Sequence, residues 1–190
     1  MSNSSSENNA GSRLISRRSL LQAAAATCLL PPLTALGAAA SGSRALSFVH
    51  THTGETLSVK YWCDGSYQNS CLSQLNHFLR DFRTNEATVM DRQLFDILYG
   101  LQVLADRDAT YEIISAYRSP KTNAMLRKHS SGVAEHSMHI VGRALDVRIS
   151  GFSTRKLQQL ALSTQRGGVG FYAKSDFVHL DTGRIRTWVG

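Results

Sequence analysis

Short β-rich segments alternate along the chain with segments of helical periodicity. Residues 45–50 and 57–62 form a predicted hairpin, and further strands are predicted over 111–116, 144–149, 169–172 and 177–181. Apolar residues recur at helical spacing over 70–83, 91–104 and 153–164, and a short helix is predicted over 121–128. Asp91 and Ser153 stand at N-cap positions, and Asn69 or Ser70 could cap the first helix. The pattern predicts an α+β fold, a small antiparallel sheet with helices packed on one side.

Residues 1–40 differ from the rest of the chain in composition. The paired arginines Arg17 and Arg18 precede an apolar, alanine-rich run over 20–36, and three further alanines follow it. This order predicts a cleaved twin-arginine signal peptide. The alternative is an anchor that stays attached, but the run is short and a Pro-Pro pair interrupts it. We therefore expect export through the twin-arginine machinery to the periplasm, a single domain over 41–190, and no stable membrane insertion after cleavage, since no other stretch approaches ~20 apolar residues.

The net charge of the chain bears on its possible partners, but only weakly. The whole chain carries a formal net charge of +7, and the leader contributes +2 of it, from three arginines and one glutamate, which leaves +5 for residues 41–190. A modest basic excess suits a polyanionic surrounding such as a bacterial wall. Nucleic acid is the other common polyanion, but the basic residues are scattered and form no binding motif, so we expect no nucleic-acid partner.

Two cysteines remain after the leader, Cys63 and Cys71, with turn-forming residues between them. In an oxidising compartment such a pair can close a small loop. The alternative is two free, half-buried thiols. The sequence favours the disulfide, whose contribution to stability would be about 2–3 kcal/mol for so short a loop.

Three residues with metal-ligating side chains stand on or beside two predicted strands. His139 precedes the strand that carries Asp146, and His179 lies in the last predicted strand. If these strands pair, the three side chains meet at one point. Imidazole nitrogen with carboxylate oxygen suits zinc, and three protein ligands leave a fourth position for water. His136 could compete with His139 as a ligand, but we favour His139.

The residues around these ligands also carry a family resemblance. The pattern S-x-H-x-x-G-x-A-x-D over 137–146, followed by a strand with a histidine, resembles the zinc core of the LAS metallopeptidases, the group that contains the D-Ala-D-Ala peptidases and the hedgehog fold. Further segments resemble one branch of that group, the YcbK-like murein endopeptidases: 75–83, 115–119, 167–172 and 177–183. The likeness extends from about residue 48 to residue 188 and implies a hedgehog/D-Ala-D-Ala peptidase-like fold with one Zn²⁺ per chain.

The resemblance also bears on residues outside the ligand set. It implies that Arg118, at the end of a predicted strand, lies in the substrate cleft, where its planar fork can bind a carboxylate. Many LAS members carry H-x-H at the last strand, but this chain has Phe177 where the first histidine would stand. Asp181 falls on the same face as His179 and could replace that histidine as a base, or could orient His179. Asp176 would point away unless the strand bends.

The resemblance implies a zinc-dependent peptidase that hydrolyses the peptide cross-links of peptidoglycan, with the peptide stems as its substrate. Two alternatives remain open at this point. One is a D,D- or L,D-carboxypeptidase on the same fold, which Arg118 would serve equally well. The other is a non-catalytic, zinc-stabilised wall-binding module, for which the missing H-x-H histidine is the best argument.

Overall fold

The computed structural model describes residues 42–129 and 132–190. Within these ranges the chain forms eight strands and four helices. In chain order they are β1 (Ser43–His50), β2 (Thr56–Cys63), β3 (Ser66–Tyr67), α1 (Asn69–Phe78), α2 (Arg92–Leu104), β4 (Thr110–Ser115), α3 (Pro120–His129), β5 (Ala144–Ile149), α4 (Thr154–Ser163), β6 (Gly168–Tyr172), β7 (Phe177–Asp181) and β8 (Arg186–Val189). The predicted α+β class is confirmed.

All eight strands belong to one sheet, in the order β3-β2-β1-β4-β5-β7-β6-β8. The central strands β4, β5, β7 and β6 pair antiparallel, as predicted. The sheet is larger than predicted and contains two parallel pairs, β1 with β4 and β6 with β8. Each parallel pair joins strands that are not consecutive in the chain, and no local pattern specifies such a pairing.

The two faces of the central sheet have different functions. Alternate residues of β5 and β7, such as Leu145, Val147 and Val178, enter the hydrophobic core together with α1, α2 and α4. The intervening residues point to the opposite face. That second face therefore presents Asp146 and His179, both of which are buried although they are polar.

Helix boundaries agree with the capping residues in two cases of three. The side chains of Asp91 and Ser153 accept hydrogen bonds from backbone N–H groups at the start of α2 and α4, as predicted. The prediction for α1 was wrong, because its N-cap is Gln68, with no side-chain hydrogen bond, and the helix ends at Phe78 instead of residue 83. Beyond it the chain turns around the buried carboxylate of Asp81.

The predicted disulfide does not form in the structure, where Cys63 and Cys71 are both free and half-buried. The thiol of Cys63 donates instead to the carboxylate of Asp64 at 3.3 Å. The predicted signal peptide over 1–40 lies outside the described residues. Within the described ranges, no helix combines the length and the apolar character needed to span a bilayer.

Candidate metal centre

The structure brings together three predicted ligands, His139, Asp146 and His179. Asp146 in β5 and His179 in β7 are direct cross-strand partners, and the turn that enters β5 places His139 beside them. One potential ligand atom from each residue lies within 4.8 Å of the others, and all three residues are buried. The register of β5 and β7 therefore brings Asp146 and His179 together, and the turn before β5 adds His139.

Hydrogen bonds fix the ring of His139. Its Nδ1 lies 2.7 Å from the carbonyl oxygen of Ala116, which can only accept, so Nδ1 carries the proton. Nε2 then keeps its lone pair, and it lies 3.2 Å from Nδ1 of His179 and 3.3 Å from Asp146 Oδ2. The backbone N–H of Arg118 also donates to the carbonyl of His139. The segment after β4 therefore orients this imidazole towards the cluster.

A buried carboxylate fixes the ring of His179. Nε2 of His179 lies 3.1 Å from Oδ2 of Asp181, while Nδ1 faces Oδ1 of Asp146 at 2.8 Å. Asp181 is fully buried, and it also accepts from the backbone N–H groups of Gly168 and Gly183 and from both terminal nitrogens of Arg186. With a metal bound, this arrangement leaves the proton of His179 on Nε2 and its lone pair on Nδ1.

The charged groups of the cluster and Asp181 interact strongly with one another. Burial opposes the charged form of His179, but hydrogen bonds to Asp146 and Asp181 outweigh it and raise the pKa of the imidazole to about 9. Burial also opposes ionisation of Asp146, yet the neighbouring His139 and His179 hold the pKa of its carboxyl well below the usual range. In the same way, His179, Arg186 and two backbone N–H groups lower the pKa of Asp181 against its desolvation. Positive charge at this point is therefore stabilised by two carboxylates.

The donor set fits a divalent metal. Two imidazole nitrogens and one carboxylate oxygen converge, each ring holds its other nitrogen in a hydrogen bond, and the cluster opens on a cleft. This is the ligand number and type of a catalytic zinc site with one open position. It is the one such cluster of histidine, cysteine and acidic residues found in the described ranges. The metal-ligand roles themselves stay a prediction.

A cleft of about 520 Å³ lies over the cluster. Its walls combine two arginines, three aromatic rings and the loop before His139; the lining residues are Arg118, Gly132, Val133, Ala134, His136, Ser137, Met138, His139, Asp146, Tyr172, Ser175, Phe177, His179, Arg186 and Trp188. The guanidinium of Arg118 lies 4.0 Å from Asp146. Among the described residues it makes only long hydrogen bonds, at 3.4 Å to Asn123 and 3.3 Å to Ser115, and its buried Nε has no partner there. Arg118 is thus a cation beside the cluster with unused donor capacity.

With this geometry established, the comparisons with known proteins identify the family. Residues 38–188 match the family described as "Peptidoglycan L,D-endopeptidase MepK". The chain belongs to this family. It is 44% identical over 148 residues to the probable peptidoglycan L,D-endopeptidase MepK of Haemophilus influenzae, a match that covers 77% of this chain and 80% of the relative. It is 43% identical over 145 residues to MepK of Escherichia coli K12, covering 76% and 80%. No solved structure matches the chain.

In this MepK-family chain, the other candidate residues differ in whether they line the cleft and whether they reach the ligand cluster. His136 lines the cleft but does not join the ligand cluster. Phe177 lines the cleft at the position where other LAS members carry the first histidine of H-x-H, and its ring stacks on Tyr172 at 4.5 Å. Asp176 lies elsewhere, in a second cleft, where it accepts from Thr154 at 2.7 Å. Asp181 is within reach of His179 but does not line the cleft.

The sequence did not identify Arg186 as part of the site, nor that Trp188 lies beside His179. Both belong to β8, whose four residues were not predicted as a strand. The Trp188 ring lies 5.1 Å from that of His179 and packs so closely on β6 that a Cβ added at Gly170 would come within 2.5 Å of it. The usable signal was Gly168-x-Gly170, because glycines on one face of a strand indicate close approach of another group.

Proposed function

We propose that this protein is a zinc-dependent peptidoglycan endopeptidase that hydrolyses peptide cross-links in the cell wall. Family membership supports the reaction class, and the names of the relatives support an L,D-endopeptidase acting on peptidoglycan. The observation that carries the proposal is the convergence of His139, Asp146 and His179 on a cleft that also holds Arg118. A purely structural metal site would be closed and would have no need of a cleft.

Each residue has a definite part in this reaction. His139 Nε2, His179 Nδ1 and a carboxylate oxygen of Asp146 would hold the zinc. Bound there, zinc would lower the pKa of water and polarise the scissile carbonyl. The carbonyl of Ala116 keeps His139 in the correct tautomer, and Asp181 does the same for His179.

Arg118 would bind and orient the substrate. Peptidoglycan stems carry free carboxylates, and a guanidinium binds such a group through two parallel N–H donors. Because Arg118 makes only long hydrogen bonds with the protein, it would lose little by turning to a ligand. Its place beside Asp146 would set the carboxylate close to the reacting amide.

A carboxypeptidase on the same site is the second candidate. The observation that favours it is the same arginine, since Arg118 could hold the terminal carboxylate of an uncross-linked stem as well as a carboxylate inside a cross-link. The two activities differ in their products. Endopeptidase action converts a dimeric muropeptide into monomers, whereas carboxypeptidase action shortens a monomer by one residue.

We propose that the protein works in the periplasm after export by the twin-arginine machinery. The paired arginines, the apolar run and the small residues of 1–40 support this location. The net charge of +5 on residues 41–190 also suits a polyanionic wall. The route implies that the chain crosses the membrane folded, so that the metal could be bound before export.

The deciding experiment incubates residues 41–190, loaded with zinc, with purified dimeric muropeptides and with monomeric stems. Products are identified by mass, and an Asp146→Ala variant is run in parallel. Conversion of dimers to monomers by the wild type but not by the variant supports the endopeptidase. Shortened monomers alone support the carboxypeptidase. Binding to the wall with neither product would overturn both and support a binding module.

A further inference from the structure

Peptide hydrolysis requires a group that takes a proton from the attacking water and gives one to the leaving amine. The carboxylates near the cluster do not fit this task. Asp146 is itself a proposed ligand, and Asp181 is fully buried, with its oxygens held by His179, Arg186 and two backbone N–H groups. Asp176 lies in the second cleft, bound to Thr154.

The position that carries a histidine in many LAS members does not supply one here. Phe177 stands at that position, lines the cleft and stacks on Tyr172. The proton carrier therefore has to come from another wall of the same cleft. Apart from the proposed ligands, the lining residues in the described ranges include one imidazole and no carboxylate.

That imidazole belongs to His136, three residues before His139 in the loop that enters β5. The side chain is exposed, and the described residues offer it no hydrogen bond, ion pair or ring contact. Its neighbour Glu135 is already paired with Arg127 at 3.1 Å. An imidazole that lines the cleft has one ring nitrogen that can accept a proton and one that can donate, which is the requirement for a general acid and base.

We propose that His136 is the proton carrier of the reaction. Its ring nitrogen accepts a proton from water as the water oxygen bonds to the scissile carbonyl carbon. The resulting imidazolium then donates this proton to the amide nitrogen as the C–N bond breaks, so that one water is consumed and a carboxylic acid and an amine are released. His136 thus has the role that the first histidine of H-x-H has in many LAS members, but it comes from the loop before β5 and not from the last core strand. This inference rests on the proposed function.

The test uses a His136→Gln variant, with His77→Gln as the matched control. His77 is exposed at the end of α1 and does not line the cleft. Three quantities are measured for each protein: zinc affinity by competition with a chromogenic chelator, affinity for dimeric muropeptides, and the rate of dimer cleavage with and without added imidazole. We expect His136→Gln to leave both affinities within about twofold and to lower the cleavage rate by about 10²–10⁴-fold.

Added imidazole should restore part of the lost rate in His136→Gln, because a cleft of about 520 Å³ has room for it, and it should not accelerate the control. Cleavage by His136→Gln at the wild-type rate would overturn the proposal. A large loss of zinc affinity would also overturn it, since His136 would then be a ligand. If the wild type itself cleaves nothing, it is the proposed function that fails, and the two failures are therefore distinguishable.

Discussion

Asp181 shows how the buried side chains of this site are matched to one another. A buried carboxylate is costly unless hydrogen bonds and opposite charge surround it. Asp181 has both, from Arg186 at 2.6 and 3.0 Å, from the N–H groups of Gly168 and Gly183, and from His179. Such a saturated group has little capacity to accept a further proton. The orienting role left open from the sequence therefore suits Asp181 better than the role of a base.

Replacing Arg186 tests that orienting role. In Arg186→Gln the carboxylate of Asp181 loses its bidentate cation, so its hold on Nε2 of His179 weakens. We expect zinc affinity to fall by about 10–100-fold, the usual effect of losing a group that orients a ligand histidine. Arg184→Gln is the control, because Arg184 is exposed and its side chain makes no contact with Asp181. Equal zinc affinities for the two variants, measured by chelator competition, would contradict the role.

At the scale of elements, the segment after α1 supports the segment that carries Arg118. The buried carboxylate of Asp81 accepts from the backbone N–H of Ser119 at 2.9 Å and from that of Arg83 at 3.0 Å. The N–H of Tyr117 donates to the carbonyl of Leu79. These two irregular segments are therefore hydrogen-bonded to each other, and Ala116 and Arg118 connect them to the cluster of His139, Asp146 and His179.

Asp81→Asn is expected to destabilise the fold and to do so in a pH-dependent way. Desolvation alone would raise the pKa of the Asp81 carboxyl, but hydrogen bonds from Thr122, Ser119 and Arg83 lower it below its usual value. Its contribution to stability is therefore present above the unfolded pKa, about 3.9, and is lost as pH falls through the folded pKa. We expect a loss of about 1–3 kcal/mol at pH 7, because an amide can accept only one of the two backbone hydrogen bonds.

The check is urea unfolding of both proteins between pH 7 and pH 3. The difference between wild type and Asp81→Asn should shrink below about pH 4. Because Ser119 adjoins Arg118, the variant should also bind dimeric muropeptides less tightly. A difference in stability that stays constant across this pH range would show that the carboxylate charge is not involved.

The close contact between β6 and β8 can be tested by adding a Cβ at Gly170, with Gly100 as the control. A Cβ at Gly170 would come within 2.5 Å of the Trp188 ring, whereas a Cβ at Gly100, inside α2, would meet no atom within 4 Å. We expect Gly170→Ala to lower the free energy of unfolding by about 1–3 kcal/mol through overpacking. Gly100→Ala should raise it by about 0.5–1 kcal/mol, because alanine is the better helix former. Thermal unfolding of both variants checks the opposite signs.

Local patterns predicted the strands that create the site but not the strand that completes it. β5 and β7 were predicted with their observed bounds, because each is a short apolar run between turn residues. Their two-residue period sets which face each side chain occupies, and the observed pairing places Asp146 opposite His179. β8 has only four residues and gains its place by pairing parallel with β6. Such a pairing is non-local, so only the two glycines of Gly168-x-Gly170 signal that Arg186 and Trp188 approach this strand.

At the scale of the whole molecule, the site depends on parts of the chain that meet only after folding. Asp146 and His179 come from two strands, His139 from a turn, and the groups that orient the imidazoles from Ala116 and Asp181. An unfolded chain offers no such convergence. A metal that binds the folded chain alone must therefore stabilise it, by an amount set by its affinity and concentration.

Zinc is therefore expected to raise the thermal unfolding temperature of the metal-free protein. At free zinc a thousand times its dissociation constant, linkage predicts a gain of about 4 kcal/mol in the free energy of unfolding. In Asp146→Asn the zinc-induced gain should largely disappear, because the one charged ligand is lost. The quantity to compare is the gain in unfolding free energy within each protein, since Asp146 also pairs with His179 and its replacement changes stability for that reason too. An equal gain in both proteins would place the stabilising zinc elsewhere on the molecule, and no gain in either would remove the basis for a metallopeptidase.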